Sequence, residues 1–502
     1  MFEGRSIWKR LKSRYALLSD ATVFVALAAI VMYTVSKHEP WADEAETWVE
    51  VRDVPWLRLV FSQLRYDGHL PLWHALVWAP IHLFHMPYDY FVYIGGVCAV
   101  GGLAVLVFLA PFPRPLRYVI AASFFFLYQY AVVARPYVLM PLLGFLAAYF
   151  YRQGLPRVMA FAIATALLIQ DSTYAAVIGF GLSAFYAWQI ARRWKEVSAE
   201  DRKRVWRAGG VIAASLIFGV IVLFPKADSP LMAEATHASL SHHLHLVAEG
   251  LTGAFAQGML PAIPLLVLAG AWAYQRRGLP LLLLTVGGTA LEYGFVRGFG
   301  HHQGLITIAF VVFLWAAWPT AEQFAGLQRS AKLLHQALLV ALLVTFGWHC
   351  TWSYKAVRGD WAGPYSGALD AAKYLKLMHA DELGCSGYLF WAVGVQPYFD
   401  HNIFLNYGGP DAPAFYNFSK EFQKRADVIT ESQARNGPPF IVVATEYESP
   451  QEAVPMIESY RSVDYVLVHY SDGTRFFKGT PGVHASYFIF EKIDFVGGMR
   501  QR

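Results

Sequence analysis

Residues 70–86 read LPLWHALVWAPIHLFHM. The run is apolar enough to enter a membrane. Yet Pro71, His74, Pro80, His82 and His85 suit a helix lying at the bilayer surface better than a span facing lipid. The choice fixes the side on which every later loop falls. Eleven other apolar runs lie at about 21–35, 88–110, 118–134, 137–151, 158–170, 174–190, 208–224, 259–274, 279–296, 304–318 and 336–352. If 70–86 does not cross, 20 Lys and Arg residues fall on the side of the N-terminus and 7 on the other. The first group holds the basic head (Arg5, Lys9, Arg10, Lys12, Arg14) and the run from Arg192 to Arg207. If 70–86 crossed, the bias would largely reverse. The positive-inside rule therefore predicts eleven spans, with the N-terminus cytoplasmic and the C-terminus outside. The basic head and first run could be a signal peptide, but no small-residue cleavage site follows, so a retained anchor is expected.

Composition agrees. Of 502 residues, 56% are apolar and 15% charged, with a mean hydropathy of +0.36. Soluble domains carry about 25% charged residues. Disordered, coiled-coil, collagen-like and disulfide-scaffold classes are excluded. The three cysteines, Cys98, Cys350 and Cys385, are too few and too scattered for a disulfide framework or a zinc site. From Ser353 onward the chain is less apolar. It reads as a helix over Ala368–Met378, strands over Phe440–Ala444, Tyr465–His469 and Tyr487–Phe490, and a helical stretch near 450–460. The expected organisation is a polytopic α-helical membrane domain over 1–352 and a small extracytoplasmic α/β domain over 353–502.

The outer loops hold the unusual polar residues. The first contains His38, Glu39, Pro40, Trp41, Ala42, Asp43, Glu44, Ala45, Glu46, Thr47 and Trp48, with two adjacent acids where the first span leaves the bilayer. An ionisable group at that depth is costly unless paired or functional. The same acids could simply open a helix, where they favour the positive end of its dipole. The loop closes on Tyr66, Asp67, Gly68, His69, Leu70, Pro71, Leu72 and Trp73.

An Asp-Glu pair after span one, followed by a His-x-Pro-Leu segment, resembles the GT-C superfamily. Its similar branches are the bacterial protein O-mannosyltransferase-like and aminoarabinose-transferase-like enzymes. The resemblance implies a transferase that takes a sugar from a polyprenyl-phosphate lipid at the outer membrane face. It implies that the first-loop acid is catalytic or metal-proximal, and that the His-Pro-Pro-Leu segment belongs to a membrane-associated helix, not a span. Leu70 stands here where the family has proline. Arg135-Pro136-Tyr137 resembles the family's Arg-Pro-Tyr element. The stretch Arg297-Gly298-Phe299-Gly300-His301-His302-Gln303-Gly304 resembles an Arg/His-rich outer loop of one bacterial branch. The architecture resembles the superfamily over about 15–350, whereas the C-terminal domain matches nothing carried over.

The expected site follows. Asp43 takes the proton of an acceptor hydroxyl, with Glu44 as alternative or helper. Arg135, Arg297, His301 and His302 bind the donor phosphate, with Tyr137 and His69 beside them. Asp171 either caps the helix that follows it or touches acceptor or metal, with the cap preferred. Glu292 stands about a turn before Arg297 and could orient it. His237, His242, His243 and His245 read as the polar face of an interfacial helix. Some members of the superfamily use a divalent cation, and no ligand set in this chain is complete enough to assign one. No Walker, Rossmann or metalloprotease motif is present, and nothing points to nucleic acid.

The expected function is transfer of one sugar from a polyprenyl phosphate to a hydroxyl of a glycan, lipid or protein, with inversion, at the outer face of a bacterial inner membrane. Two other classes stay open. A lipid-linked polysaccharide ligase or polymerase would use a diphosphate donor with a long glycan. A lipid or solute transporter would carry ionisable groups near mid-membrane and internal repeats.

Overall fold

The computed structural model describes residues 3–224, 226, 228, 239–295, 298–427 and 437–494. Among them, six helices are long and apolar enough to cross a membrane: Leu17–Val35, Tyr88–Leu109, Thr173–Arg192, Ala199–Leu223, Gly300–Ala317 and Arg329–Ala362. Three shorter apolar helices cover Leu155–Ile169, Leu260–Gln275 and Leu279–Phe295. The chain is a multi-pass membrane protein.

The helix that begins the decisive stretch runs from Pro71 to Phe84. Proline suits its first position, where no backbone donor is needed. At 14 residues it is about 21 Å long, short of a hydrocarbon core of roughly 30 Å. It is not among the long apolar helices. The run at 118–134 is not one helix. It is divided into a helix over Arg114–Ala121, a π-helical turn over Phe125–Gln129 and an irregular turn into Arg135. The last apolar run was expected to end at 352 and continues as helix to Ala362.

Beyond it lies a four-stranded sheet of order β1-β2-β6-β3, formed by β1 (Cys385–Tyr388), β2 (Phe440–Thr445), β3 (Tyr465–Ser471) and β6 (Ser486–Lys492). The β1–β2 pair is parallel and the other two are antiparallel. A separate hairpin joins β4 (Thr474–Phe477) to β5 (Thr480–His484). β2 and β6 are buried almost throughout, which is why continuous apolar runs betrayed them. β1, β4 and β5 were not expected. β1 is only four residues long and reads Cys-Ser-Gly-Tyr. The faces of the hairpin strands show no polar–apolar alternation.

The segment after the first long helix folds into the helix Ala42–Asp53, and the C-terminal region is bonded onto it. Leu369 N–H donates to Glu39 Oε1 (2.9 Å), Tyr416 N–H to Glu46 Oε2 (3.0 Å) and Ala414 N–H to Asp53 Oδ2 (2.8 Å). Arg52 donates to the Phe399 carbonyl (2.6 Å). Three acids of the loop thus satisfy backbone donors that would otherwise be buried without partners.

A deeper link lies beneath them. His38 sits between two carboxylates, with Nε2 3.1 Å from Glu44 Oε2 and Nδ1 3.0 Å from Asp360 Oδ2. All three side chains are shut off from solvent. Tyr128 O–H also donates to Asp360 (3.3 Å). Although burial works against the charged ring, Asp360 and Glu44 raise the His38 pKa to about 10. A raised histidine stabilises the fold fully below its unfolded pKa near 6.5, and that contribution is lost as pH rises toward 10. Wild-type thermal stability is therefore expected to exceed that of His38→Gln by a margin that shrinks from pH 7 to pH 10. Asp360→Ala, which leaves the buried imidazolium with Glu44 as its one carboxylate partner among the described residues, is expected to cost about 3–5 kcal/mol at pH 7. Melting curves of the two variants across that range check both, and a margin independent of pH would refute the charged histidine.

Candidate functional site

Glu44 and Asp43 are neighbours, and so are Ala134 and Arg135. The structure joins them as two parallel links. Glu44 Oε1 accepts the Ala134 N–H at 2.6 Å, and Asp43 forms an ion pair with the Arg135 guanidinium. Arg135 precedes a proline, and its extended backbone (φ −123°, ψ 166°) follows from that. The turn is thereby held open toward the helix of the first loop.

Glu44 was expected as an alternative or helper base. It is fully buried and accepts from Ala134 N–H, His38 and, at 3.2 Å, its own helix's Trp41 N–H. Its lone pairs are committed to holding the turn. Asp43 is different. Its side chain retains 15% exposure, and among the described residues its only ion-pair partner is Arg135. Burial pushes the Asp43 carboxyl above its usual range, against the opposing pull of Arg135 and then Arg475.

Five of the other expected residues gather here. Arg135 lies 3.1 Å from His301 Nε2, and its guanidinium carbon is 5.4 Å from the Tyr137 ring centre. Tyr137 O–H meets His302 Nε2 at 3.0 Å. Phe299 N–H donates to His302 Nδ1 at 3.3 Å. A neutral His302 therefore carries its proton on Nε2 and gives it to the tyrosine oxygen. Tyr130 O–H donates to the His301 carbonyl at 2.5 Å and fixes that turn from behind. The His69 ring is 5.7 Å from Tyr137. His69 is driven well below its usual pKa, first by burial and then by Arg135, and is neutral.

Past His69 the polarity reverses. Glu46, Glu50 and Asp67 lie together with His74, whose Nε2 is 3.5 Å from Glu50 Oε2, while Gln63 donates to Glu50 Oε1 at 2.9 Å. Burial, then mutual repulsion, pushes Glu46 and Asp67 well above the carboxylate range. Burial pulls His74 down to about 4. One end of the site is cationic, and the other is a set of acids with raised pKa beside neutral imidazoles. Among the described residues no group of three or more His, Cys, Asp or Glu side chains has the arrangement to hold a metal ion.

The remaining expected residues fall elsewhere. Asp171 is buried but does not cap the next helix. Ser172 does, its Oγ accepting Ala175 N–H at 3.2 Å. The hydroxyl reaches that donor from the residue adjoining the helix, one position later than expected. Ser172 also forms an isolated bridge with His69, which brings Asp171 close to the cluster. Glu292 lies within electrostatic reach of Tyr137 and Tyr174. Arg297 lies outside the described residues, as does His237. His243 is buried, bonds the Gly294 carbonyl at 2.8 Å and stacks on Phe295, while His242 and His245 are exposed.

One residue of the site gave no signal in the sequence. Arg475, on β4 of the C-terminal hairpin, is inserted between two indoles, its guanidinium carbon 4.1 Å from the Trp41 ring centre and 4.4 Å from that of Trp391. Such stacking favours a cation. Its Nη2 lies 3.7 Å from Glu446 Oε1, its Nε is buried without a partner among the described residues, and its charge acts on both Asp43 and His301. The C-terminal region thus adds a second guanidinium to the site.

No protein-family model matches the chain, and no curated protein matches it. Solved structures do. ArnT from Cupriavidus metallidurans bound to undecaprenyl phosphate is 12% identical, with a TM-score of 0.51, over 93% of this chain and 97% of that one. The same protein in its apo state is 11% identical, with a TM-score of 0.53, over 94% and 98%. At such identity the likeness is one of fold, and it runs through the C-terminal region as well as the membrane helices: the chain has the GT-C-like fold of ArnT.

Proposed function

We propose that the protein is a membrane glycosyltransferase that moves a single sugar from a polyprenyl-phosphate donor to an acceptor hydroxyl at the outer face of a bacterial inner membrane. The observation that carries this reading is the Asp43–Arg135 pair at the head of a cationic cluster. The undecaprenyl phosphate held by the structurally similar ArnT supports a polyprenyl-phosphate lipid as the donor. The proposed topology has eleven spans, a cytoplasmic N-terminus and a periplasmic C-terminus. The membrane part covers 1–352 and the periplasmic part 353–502.

The chemistry follows from charge. An acceptor hydroxyl is a poor nucleophile until a base takes its proton. Asp43 is held by Arg135. A donor phosphate competes for that guanidinium, and fork-shaped pairing with phosphate favours the exchange. Donor binding thereby frees the Asp43 carboxylate. The acceptor oxygen attacks the anomeric carbon, and Asp43 receives its proton. The bond from that carbon to the phosphate oxygen breaks, its electron pair stays on the phosphate, and Arg135 and Arg475 stabilise the charge that develops. Attack from the face opposite the leaving group inverts the centre. His301 and His302 hold Arg135 and Tyr137 in place. His69, Asp171 and Glu292 line the approach, and Arg297 is a further phosphate ligand by its sequence neighbourhood.

Two measurements test this reading. Asp43→Asn is expected to lower turnover by about 10²–10⁴-fold while retention of undecaprenyl phosphate stays at or above the wild-type level, since the competitor for Arg135 is gone; near wild-type turnover removes Asp43 as base. Arg475→Met keeps the apolar stem but removes the charge. It is expected to weaken undecaprenyl phosphate binding about ten-fold, as loss of one charge-assisted contact does. Equal affinity in wild type and variant would dismiss Arg475 as a phosphate ligand.

A further inference from the structure

The helix Thr173–Arg192 begins beside the polar cluster, where Ser172 bridges His69. At 20 residues it places Arg192 about 30 Å from that cluster. A different chemistry collects there. Between Arg192 and Arg207 the chain holds seven Lys and Arg residues against three acids. Two of the acids are already taken. Arg204 pairs with Glu200, and its Nη1 lies 3.6 Å from Asp201 Oδ1. Arg193, Lys195, Lys203 and Arg207 are exposed, and among the described residues they form no ion pair.

Two of the remaining cations are seated on indoles. The Arg192 guanidinium carbon stands 5.0 Å from the Trp188 ring centre, and that of Arg202 stands 5.2 Å from the Trp194 ring centre. Arg202 also donates to the Trp194 carbonyl at 2.9 Å, and the Trp194 and Trp206 ring centres are 6.2 Å apart. The connection from Arg192 to the next helix, Ala199–Leu223, is thereby tied into one surface. A guanidinium seated over a ring still has N–H donors at its edge for oxyanions.

What lies beside this surface is lipid. Only 17% of the apolar window of Ala199–Leu223 is buried, the smallest share among the six long apolar helices. Lys203, Arg207, Gly210, Ala214, Ile217 and Ile221 follow one another at spacings of four and three, and all six are exposed. They form one stripe along the helix. Trp206, 73% exposed, stands at its charged end, as indoles do at a bilayer interface. Just past the cations, a Cβ added at Gly209 or Gly210 would meet nothing within 4 Å. The stripe is thus cationic at one end, stepped down at the glycines, and free of charge for about 21 Å from Arg207 to Ile221. That is the form of a phospholipid. An acidic protein or a free phosphate would meet the cations and leave the isoleucines uncovered. A lipid with one phosphate would leave three of the four unpaired cations without a counter-charge, so the excess of charge selects a head group with more than one.

We propose that this surface binds a phospholipid carrying two phosphates, its head group on residues 192–207 and an acyl chain along the stripe. The site is separate from the Asp43–Arg135 pair and holds whatever reaction that pair performs. The full-length protein would be placed in phosphatidylethanolamine nanodiscs containing equal small amounts of tetraoleoyl cardiolipin and dioleoyl phosphatidylglycerol, and retained lipids read by native mass spectrometry. The wild type is expected to retain cardiolipin in preference to both other lipids. The double variant Lys203→Gln, Arg207→Gln removes two unpaired cations and is expected to retain about 30-fold less, each cation contributing about five-fold. A control, Arg157→Gln with Arg329→Gln, removes two exposed cations elsewhere and is expected to retain cardiolipin as the wild type does. The thermal melting midpoint is expected to be unchanged in both. Should the double variant melt early, the single variant Arg207→Gln, with an expected loss of about five-fold, decides instead. No preference for cardiolipin over phosphatidylglycerol, equal retention by wild type and the Lys203/Arg207 variant, an equal loss in the control, or displacement of cardiolipin by a ten-fold excess of water-soluble glycerophosphate would overturn the proposal.

Discussion

The site depends on one buried carboxylate. Glu44 is closed off from water, and such a group is tolerated only when its lone pairs are filled. Three donors fill them: the Trp41 N–H, the His38 ring and the Ala134 N–H. Each pulls in a different part of the chain. Trp41 fixes the start of the first-loop helix. His38 carries the link on to Asp360 in the last long helix. Ala134 brings in the turn that bears Arg135. Asp43 meets Arg135 because the residues next to each are already bonded. The catalytic candidate is positioned by a neighbour whose own chemistry is spent on structure.

The same economy governs the rest of the loop. Glu39, Glu46 and Asp53 each take a backbone N–H from beyond residue 360. A cluster of acids in one sequence stretch looks like chemistry. Half of it, Glu39, Glu46 and Asp53, is attachment of the C-terminal region. That attachment in turn brings Arg475 over Trp41 and Lys478 against Gln303. One hairpin, three positions from cation to cation, thus reaches both Trp41 and Gln303.

What could be read in the sequence is what local pattern carries. The proline and histidine content of 70–86 marked a helix outside the long apolar set, and a 14-residue helix starts there at Pro71. Arg135-Pro136-Tyr137 and His301-His302 are visible as polar words in apolar text, and they meet. Continuous apolar runs marked β2, β3 and β6, while the short β1 and the irregular hairpin lacked them. The break at 122–134 was hidden because a π-turn is made of the same residues as an α-turn. Pairings across hundreds of residues left no trace. Nothing near Asp360 or Arg475 announces a partner at His38 or Trp41, since a lone ionisable residue in a mixed stretch has no period and no motif.

The division of labour between Asp43 and Glu44 has a consequence for how such sites tolerate change. An acid that serves as a base needs a free lone pair and some access, and Asp43 keeps 15% exposure. An acid that serves as a brace needs neither and loses function when its geometry changes. Exchange of the two side chains would conserve charge and composition and still fail on both counts. A longer Glu at 43 would push against Arg135, and a shorter Asp at 44 would fall short of the Ala134 N–H by about one methylene. The order of the pair, acid to cation first and acid to backbone second, is therefore set by reach rather than by charge.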